Sequence, residues 1–319
     1  MSLVKIVTSF NVNPKIQNEL MEKFPNIEFS FHGAMKEAVT EIDNAEVLVS
    51  YGGDLNEEVI NKAANLKWLM VFSAGIEKLP FETIKQKGIL VTNARGTSKI
   101  PMAEYTMGMI LQVARKTKEL IENEKLEDWN RRLKMIEISG ATITIMGTGS
   151  IGSEIARLAK AFRMKTVGIN RSGRSVEYFD EVYSVTEMEK AIEQGDYIVS
   201  VLPSTPDTYH LLKEPHFKLM KNDCLFINIG RASLVDENVL IKALETGEIA
   251  HAVLDVFETE PLPKGHPFWK MENVTITPHL SGVSRQYLSR CIEIFDHNLQ
   301  QYISGENDFI NVIDLDRGY

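Results

Sequence analysis

The sequence predicts an α/β protein with two doubly wound parallel-sheet domains. Short runs rich in β-branched residues alternate with amphipathic segments along the chain. Some runs, such as residues 198–202, are almost continuously apolar, which is typical of parallel strands covered by helices on both faces. The length of 319 residues provides for two domains at roughly 150 residues each.

The composition and charge disfavour several other classes of protein. Hydrophobic residues make up 44% and charged residues 25% of the chain, close to the averages of globular proteins. No apolar stretch approaches the ~18 residues of a membrane span, and the N-terminus shows no signal-peptide pattern. The net charge of −9 opposes binding to a nucleic-acid backbone. Cys224 and Cys291 lack metal-site or disulfide spacing, which favours a reducing cytoplasm and no metal site. Together these observations predict a cytoplasmic protein with no metal, nucleic-acid or membrane partner.

The predicted strands fall into two groups separated by a long gap. The first group comprises residues 4–9, 45–50, 66–72 and 89–92. The second group comprises residues 142–146, 165–170, 197–202, 224–229, 250–256 and 274–277. Because helical segments alternate with the strands within each group, each group is expected to form the sheet of one domain.

Two long helices indicate where the domains divide. The first is predicted over residues 101–122, with proline in its first turn. Its apolar residues at helical spacing are Met102, Tyr105, Met109 and Val113. The second is predicted over residues 285–304, with a glycine as its stop and an apolar stripe that could pack back onto the first domain. We therefore expect a discontinuous domain of residues 1–100 and 285–319, and a second domain of residues 101–284.

A glycine-rich loop follows the first strand of the second group. Gly147, Gly149 and Gly152 form a G-x-G-x-x-G pattern. Ser150 and Ile151 lie within it, and a helical segment follows from Ser153. In such a loop the glycines allow a tight turn, a close approach to a pyrophosphate and close helix packing, while the helix N-terminus offers amide groups to the anion. The pattern predicts a Rossmann-type nucleotide-binding domain, with a glycine turn that binds no ligand as the alternative.

The next predicted strand bears on the choice of cofactor. It ends in Asn170, where NAD-binding proteins usually carry a carboxylate for the ribose 2′-hydroxyl. A carboxylate would repel a 2′-phosphate, whereas Arg171, Ser172 and Arg174 supply donors and positive charge that suit one. We predict NADP(H) as the preferred cofactor, with NAD(H) as a second possibility. Two arginines on a solvated loop are the alternative.

Ionisable residues stand just after the last three predicted strands, at the edge where an open parallel sheet binds its ligand. They are Arg231, Glu260 and His279. Taken singly, an arginine is usually a surface ion pair, a glutamate a solvated side chain and a histidine a structural residue. Because all three are expected at the same edge of the sheet, they favour a catalytic group. The sequence contains no P-loop, H-E-x-x-H or G-x-S-x-G motif that would indicate another reaction.

Several sequence blocks resemble the signature blocks of the D-isomer-specific 2-hydroxyacid dehydrogenases. These blocks are residues 229–232, 254–262 and 277–279. The loop of Leu202 and Pro203 resembles the adenine-side loop of the family, and residues 311–319 resemble the ending of its glyoxylate and hydroxypyruvate reductase branch. The resemblance implies that Leu202, Pro203 and Ile229 line the cofactor. It also implies that Asp255 contacts the nicotinamide carboxamide.

The same resemblance gives each member of the ionisable trio a role. Reduction of a 2-oxo acid needs a cation that holds the carboxylate and polarises the carbonyl, and an acid that protonates the developing alkoxide. Arg231 has the planar fork for the first task, and His279 is expected to be the acid or base, so both would contact the substrate. Glu260 beside the imidazole would favour the protonated ring in the reductive direction.

Two loops of the first domain resemble the substrate-binding segments of the family. Ser73, Ala74 and Gly75 follow a predicted strand and resemble the loop whose backbone amides bind the substrate carboxylate. Gly52 and Gly53 follow another strand and would face the same cleft. The resemblance implies a flavodoxin-like substrate domain, with two ordinary glycine turns as the alternative.

These observations predict an oxidoreductase that reduces a small 2-oxo acid, first glyoxylate or hydroxypyruvate, to the D-2-hydroxy acid with NADP(H). The resemblance, together with the methionine-rich face of the first long helix, predicts a homodimer. One rival is a dinucleotide-sensing binding protein of the same fold without turnover, against which Arg231, Glu260 and His279 argue. The other is an NAD-linked enzyme like 3-phosphoglycerate dehydrogenase. Asn170 disfavours this alternative, because an NAD site usually has a carboxylate at that position.

Overall fold

The chain folds into parallel strands that alternate with helices, as seen in a computed structural model that describes residues 3–316. The strands are β1 (Val4–Thr8), β2 (Ile27–Phe31), β3 (Val47–Ser50), β4 (Trp68–Val71), β5 (Leu90–Asn93), β6 (Thr142–Met146), β7 (Lys165–Asn170), β8 (Glu181–Ser184), β9 (Tyr197–Ser200), β10 (Leu225–Asn228), β11 (His251–Leu254) and β12 (Val274–Ile276). The helices are α1 (Pro14–Lys23), α2 (Met35–Ala38), α3 (Glu57–Lys62), α4 (Phe81–Gln86), α5 (Lys99–Ala114), α6 (Thr117–Lys125), α7 (Ser150–Ala161), α8 (Met188–Ile192), α9 (Glu214–Leu219), α10 (Glu237–Glu245) and α11 (Tyr287–Ser304). The predicted α/β class is confirmed.

Two compact units divide the chain, one formed by Met1–Thr97 with Arg285–Tyr319 and the other by Ser98–Ser284. The first unit holds a five-stranded parallel sheet in the order β2-β1-β3-β4-β5. This is the order of flavodoxin-like sheets, in which the direction of winding reverses between β1 and β3. Helix α11 packs on this sheet, where the rings of Phe295 and Trp68 stack with their centroids 5.6 Å apart. The helix thereby joins the C-terminal part of the chain to the first unit.

The second unit holds a seven-stranded parallel sheet in the order β12-β11-β10-β9-β6-β7-β8. This is the Rossmann-type order with one added strand, and its winding reverses between β6 and β9. Ile198 and Val199, successive buried residues of β9, belong to core clusters on opposite faces of the sheet. Because the strands are parallel, the loops that follow them emerge at one edge. None of the helices in residues 3–316 has the length and apolar composition of a membrane span.

The helix predicted over residues 101–122 is two helices, α5 and α6, so the prediction was wrong in its extent. Lys116 separates them with a backbone φ of 55°, a left-handed conformation that interrupts the helical hydrogen bonds. The predicted stripe of Met102, Tyr105, Met109 and Val113 is half-buried. The buried residues of α5 form the neighbouring face and are Ala103, Thr106, Met107, Ile110 and Ala114.

The sequence does not reveal two strands, β2 and β8. Both lie at an edge of their sheet, and their residues are half-buried or exposed. They therefore lack the continuous apolar runs by which the central strands are recognised.

The C-terminal segment returns to the first sheet. The side-chain amide of Asn311 donates hydrogen bonds to the carbonyl oxygens of Asn93 and Arg95, at 3.1 and 2.8 Å. The last residues of the family-like ending, 317–319, lie outside the described residues, as do residues 1–2.

Candidate active site

The glycine loop lies after β6, where the order of the second sheet reverses. Gly147 has a φ of 106°, and a Cβ atom there would lie 3.0 Å from the Val201 side chain. At Gly152 a Cβ atom would lie 1.9 Å from the carbonyl oxygen of Gly147, so only glycine allows α7 to begin this close to the strand. At Gly149 a Cβ atom would meet nothing within 4 Å. Gly147 thus allows the turn and Gly152 allows the close packing, while the space beside Gly149 is open.

Helix α7 begins directly at this loop. Its first helical hydrogen bond runs from the amide of Ser153 to the carbonyl of Gly149, at 2.8 Å. The amides of Ser150, Ile151 and Gly152 come before that bond and have no acceptor within the helix. Together with the positive end of the helix dipole, they suit a pyrophosphate, so these residues fit a dinucleotide.

The loops after β9 and β10 pack against each other beside the glycine loop. A Cβ atom on Gly230 would lie 2.6 Å from the carbonyl oxygen of Leu202. The carbonyl of Pro203 accepts a hydrogen bond from the Thr208 hydroxyl at 2.6 Å, and the amide of Ile229 donates to Ser200 O at 3.1 Å. The three residues predicted to line the cofactor, Leu202, Pro203 and Ile229, therefore belong to two neighbouring, hydrogen-bonded turns.

The Asn170 loop, residues 170–174, is held by its first residue. The side-chain amide of Asn170 donates to Thr148 Oγ1 at 3.1 Å and to the carbonyl of Arg174 at 2.8 Å, and its oxygen accepts from the amide of Ser172 at 3.1 Å. Asn170 thus ties this loop to the glycine loop. The side chain of Arg171 is 70% exposed and lies 3.2 Å from Asp207.

Arg231 follows β10 in a turn that Asn228 closes. The buried side chain of Asn228 accepts from the amide of Gly230 at 3.2 Å and donates to the carbonyl of Arg231 at 3.0 Å. The guanidinium of Arg231 donates to the carbonyl of Gly230 at 2.9 Å. Sequence reasoning missed Asn228, although an amide residue that ends a buried apolar strand was a usable signal.

Glu260 and His279 form a hydrogen-bonded pair. Glu260 Oε2 lies 2.8 Å from His279 Nδ1, and its other oxygen accepts from the amide of Phe257 at 3.0 Å. Because a carboxylate only accepts hydrogen bonds, the Nδ1 atom carries a proton in this arrangement. The imidazole is held by a fixed carboxylate while its side chain stays 51% exposed.

A second histidine of the same unit has a different environment. His251 stands at the start of β11, far along the strand from its carboxyl end, and its Nε2 lies 2.9 Å from Thr275 Oγ1. Burial lowers the pKa of His251 to about 4, so it is neutral at pH 7. These features are typical of a structural histidine.

Asp255 is fully buried at the end of β11 and is engaged by the segment that contains His279. Its Oδ1 atom accepts from Thr277 Oγ1 at 2.5 Å and from the amide of Leu280 at 2.9 Å. Its Oδ2 atom accepts from the amide of Ser281 at 2.9 Å. These three bonds occupy three of the roughly four acceptor positions of the carboxylate, and the side chain has no exposed surface, so the contact with the nicotinamide carboxamide stays a prediction.

In the first unit, the loop after β3 is held by an acidic residue. Asp54 accepts from the hydroxyls of Ser50 at 2.5 Å and Ser9 at 3.0 Å, and Ser50 Oγ accepts from the amide of Gly52 at 2.9 Å. Gly52 has a φ of 87°, whereas a Cβ atom on Gly53 would meet nothing within 4 Å. Nothing in the local sequence pattern identified Asp54 as the residue that holds this loop.

The loop after β4 has its own internal hydrogen bonds. Ser73 Oγ donates to the carbonyl of Gly75 at 2.5 Å, and the Asn93 amide donates to the carbonyl of Ala74 at 2.9 Å. Its carbonyl groups are therefore used within the protein.

Fold and site together define a class, the nucleotide-binding oxidoreductases. The glycine loop lies at a Rossmann-type switch point, and Arg231 and the Glu260–His279 pair follow other strands of the same sheet at their carboxyl ends. Residues 3–316 bring no three His, Cys, Asp or Glu side chains into a metal-binding group.

Comparisons with known proteins narrow this class. The family profile described as "D-isomer specific 2-hydroxyacid dehydrogenase, NAD binding domain" matches residues 107–281. A glyoxylate reductase of Thermofilum pendens is 33% identical over 261 residues, which cover 79% of this chain and 76% of that protein. The chain belongs to the D-isomer specific 2-hydroxyacid dehydrogenase family, and the predicted family and enzyme class are confirmed.

Two other proteins are informative about the range of similar enzymes. A D-3-phosphoglycerate dehydrogenase of Methanocaldococcus jannaschii is 32% identical over 291 residues, 90% of this chain, and the chain spans 55% of that protein's length. The solved structure of the NADPH-dependent glyoxylate/hydroxypyruvate reductase of Sinorhizobium meliloti, in complex with NADP and sulfate, has a TM-score of 0.82 at 26% identity and 99% coverage of both chains.

Proposed function

We propose that the enzyme reduces a small 2-oxo acid to its D-2-hydroxy acid, with glyoxylate and hydroxypyruvate as the first substrates and NADP(H) as the preferred cofactor. The observation that carries this proposal is the Glu260–His279 hydrogen bond of 2.8 Å at the edge of the sheet where Arg231 also follows its strand. An acid with a fixed partner and a neighbouring cation are the two groups that the reduction of a 2-oxo acid requires.

The chain's own residues divide the work of the reaction. The nicotinamide supplies a hydride when it is bound. Arg231 holds the carboxylate and draws electron density from the carbonyl, because its planar fork matches a carboxylate. The Nδ1 proton of His279 is bound by Glu260, so in the protonated ring Nε2 is the atom that delivers a proton to the developing alkoxide.

The preference for NADP(H) is supported by the Asn170 loop. Asn170 brings no charge to the position where a carboxylate would repel a 2′-phosphate, and it folds the loop so that Arg171 and Arg174 are exposed. The complex of the Sinorhizobium meliloti relative with NADP agrees with this assignment. A bound phosphate would compete with Asp207 for Arg171, because the two lie 3.2 Å apart.

Two further parts of the proposal concern assembly and surroundings. The segment after α6 exposes large apolar side chains, including Leu126 at 74%, Trp129 at 90% and Ile136 at 56%, which is the kind of surface a second copy would cover. We therefore include a homodimer, which light scattering tests.

A cytoplasmic location is included because Cys224 and Cys291 are free and buried.

The substrate-carboxylate roles of the loops in the first unit are also part of the proposal. Gly52 and Gly53 form a turn with one open surface, and residues 73–75 form a turn stabilised by its own hydrogen bonds. Such turns offer backbone amides in a fixed geometry, which suits an anionic group.

The test is a comparison of initial rates of NADPH and NADH oxidation with glyoxylate, hydroxypyruvate, pyruvate, 2-ketogluconate, branched 2-oxo acids and 3-phosphohydroxypyruvate. We expect turnover with glyoxylate or hydroxypyruvate, fastest with NADPH. Turnover confined to NADH and the phosphorylated substrate would favour the 3-phosphoglycerate dehydrogenase alternative, which the Methanocaldococcus jannaschii relative supports. No turnover with any acid would favour the dinucleotide-sensing alternative.

A further inference from the structure

A chain of hydrogen bonds joins helix α5 to the end of β12. The Tyr105 hydroxyl lies 2.6 Å from Thr277 Oγ1, and the Thr277 hydroxyl lies 2.5 Å from Asp255 Oδ1. A carboxylate oxygen only accepts, so Thr277 donates to Asp255 and accepts from Tyr105. Burial raises the pKa of Tyr105 to about 12, so its hydroxyl keeps its proton near neutral pH.

The carboxylate at the end of this chain holds the backbone beside His279. Asp255 accepts from the amides of Leu280 and Ser281, each at 2.9 Å. These residues directly follow His279, whose φ of 51° is a left-handed conformation that is unfavourable for a residue with a side chain. Because Asp255 is fully buried, water does not compete for these bonds, and they fix the conformation of the His279 backbone.

We infer that Tyr105 is a positioning residue for His279, acting through Thr277 and Asp255. The inference rests on the proposed function, because the orientation it explains is that of the proton donor in that reaction. The Tyr105 hydroxyl orients Thr277 toward Asp255. Asp255 is thereby held where the amides of Leu280 and Ser281 reach it. The effect of Tyr105 on catalysis passes through this hydrogen-bond chain.

A second contact between the helices and β12 provides a matched control. Lys118 Nζ of α6 donates to Thr275 Oγ1 at 2.9 Å, two residues before Thr277. Thr275 also lies 2.9 Å from His251 Nε2. This contact connects a helix to the same strand but leads to His251, whereas the Tyr105 contact leads to the segment of His279.

The test compares the variants Tyr105→Phe and Lys118→Met. We expect Tyr105→Phe to lower the reductive kcat about 10- to 100-fold, the size of effect produced by a small misplacement of a catalytic group, while KM and the Kd of NADPH change less than about twofold. Lys118→Met should have the kcat of the wild type. Thr277→Val should lower kcat as much as Tyr105→Phe does. Thr277→Ser retains the hydroxyl and should have the kcat of the wild type. If Tyr105→Phe does not fold, the comparison of Thr277→Val with Thr277→Ser tests the inference.

A double variant shows whether the effect passes through His279. In the His279→Ala background, Tyr105→Phe should cause no further loss of kcat. An equal loss in both backgrounds, an equal loss in Lys118→Met, or a slow Thr277→Ser overturns the inference. If the wild type reduces no 2-oxo acid, the proposed function itself fails. If turnover depends on His279 but is unchanged in Tyr105→Phe and Thr277→Val, the inference alone fails.

Discussion

The two sheets have the same parallel construction but carry different residues at the carboxyl ends of their strands. In the seven-stranded sheet, the last three strands lead to Arg231, Glu260 and His279. In the five-stranded sheet, the strands on either side of the reversal point and their neighbour lead to small and hydroxyl-bearing residues such as Gly53 and Ser73. The first set suits proton transfer and the second suits contacts made by the backbone, so one layout of strands carries either kind of function in its loops.

The largest effect expected from this difference comes from His279→Ala. The variant should lower the reductive kcat by about 10² to 10⁴, the usual contribution of a positioned acid, because no other group replaces the proton donor. Binding of NADPH, measured by fluorescence quenching, should stay near that of the wild type. A matched His216→Ala variant, on α9, should keep the kcat. A full rate in His279→Ala would show that His279 is not the proton donor.

The second prediction concerns the geometry of the cation. Arg231→Lys keeps the charge but loses the two-pronged contact to a carboxylate, so kcat/KM for the 2-oxo acid should fall about 10- to 100-fold. The melting temperature, followed by circular dichroism, should stay close to that of the wild type. Arg163→Lys, a change elsewhere in the same unit, serves as the control. An undiminished kcat/KM would place Arg231 outside the site.

The third prediction concerns the Asn170 loop. Arg171→Ala combined with Arg174→Ala should lower kcat/KM for NADPH about 10- to 100-fold and spare NADH, because a phosphate loses charge-assisted donors while Asn170 still holds the loop. Asp207→Asn, which removes the partner of Arg171, should raise the preference for NADPH instead. Equal use of both cofactors by the wild type would show that this loop does not discriminate.

The smallest effect separates recognition from folding in the first unit. Gly53→Ala adds a methyl group where nothing lies within 4 Å, so the melting temperature should be unchanged while KM for the 2-oxo acid rises about 3- to 10-fold. Gly108→Ala, whose added methyl group also meets nothing within 4 Å but which lies in α5, is the matched control and should leave KM unchanged. If both variants have the wild-type KM, the turn of Gly53 does not bind substrate.

The sequence was sufficient where a local pattern determines the structure. The central strands are recognisable by their apolar runs, and Gly147 and Gly152 by the G-x-G-x-x-G pattern. The structure explains that pattern by the close contacts that a side chain at either position would make. The edge strands β2 and β8 and the break at Lys116 were missed, because these half-buried strands lack such runs and a left-handed lysine has no composition signal. Long-range contacts were missed as well, since the bonds of Asp54 to Ser9 and of Tyr105 to Thr277 join residues 45 and 172 positions apart.

The most direct test of the central claim follows the hydride itself. The enzyme is incubated with NADPH that carries deuterium at the transferring C4 position and with hydroxypyruvate, and the product is examined by mass spectrometry and chiral chromatography. The account predicts deuterium at C2 of the D-2-hydroxy acid, and loss of this transfer in His279→Ala with NADPH still bound. Tight NADPH binding by the wild type without any transfer of deuterium to this or another 2-oxo acid would contradict the account.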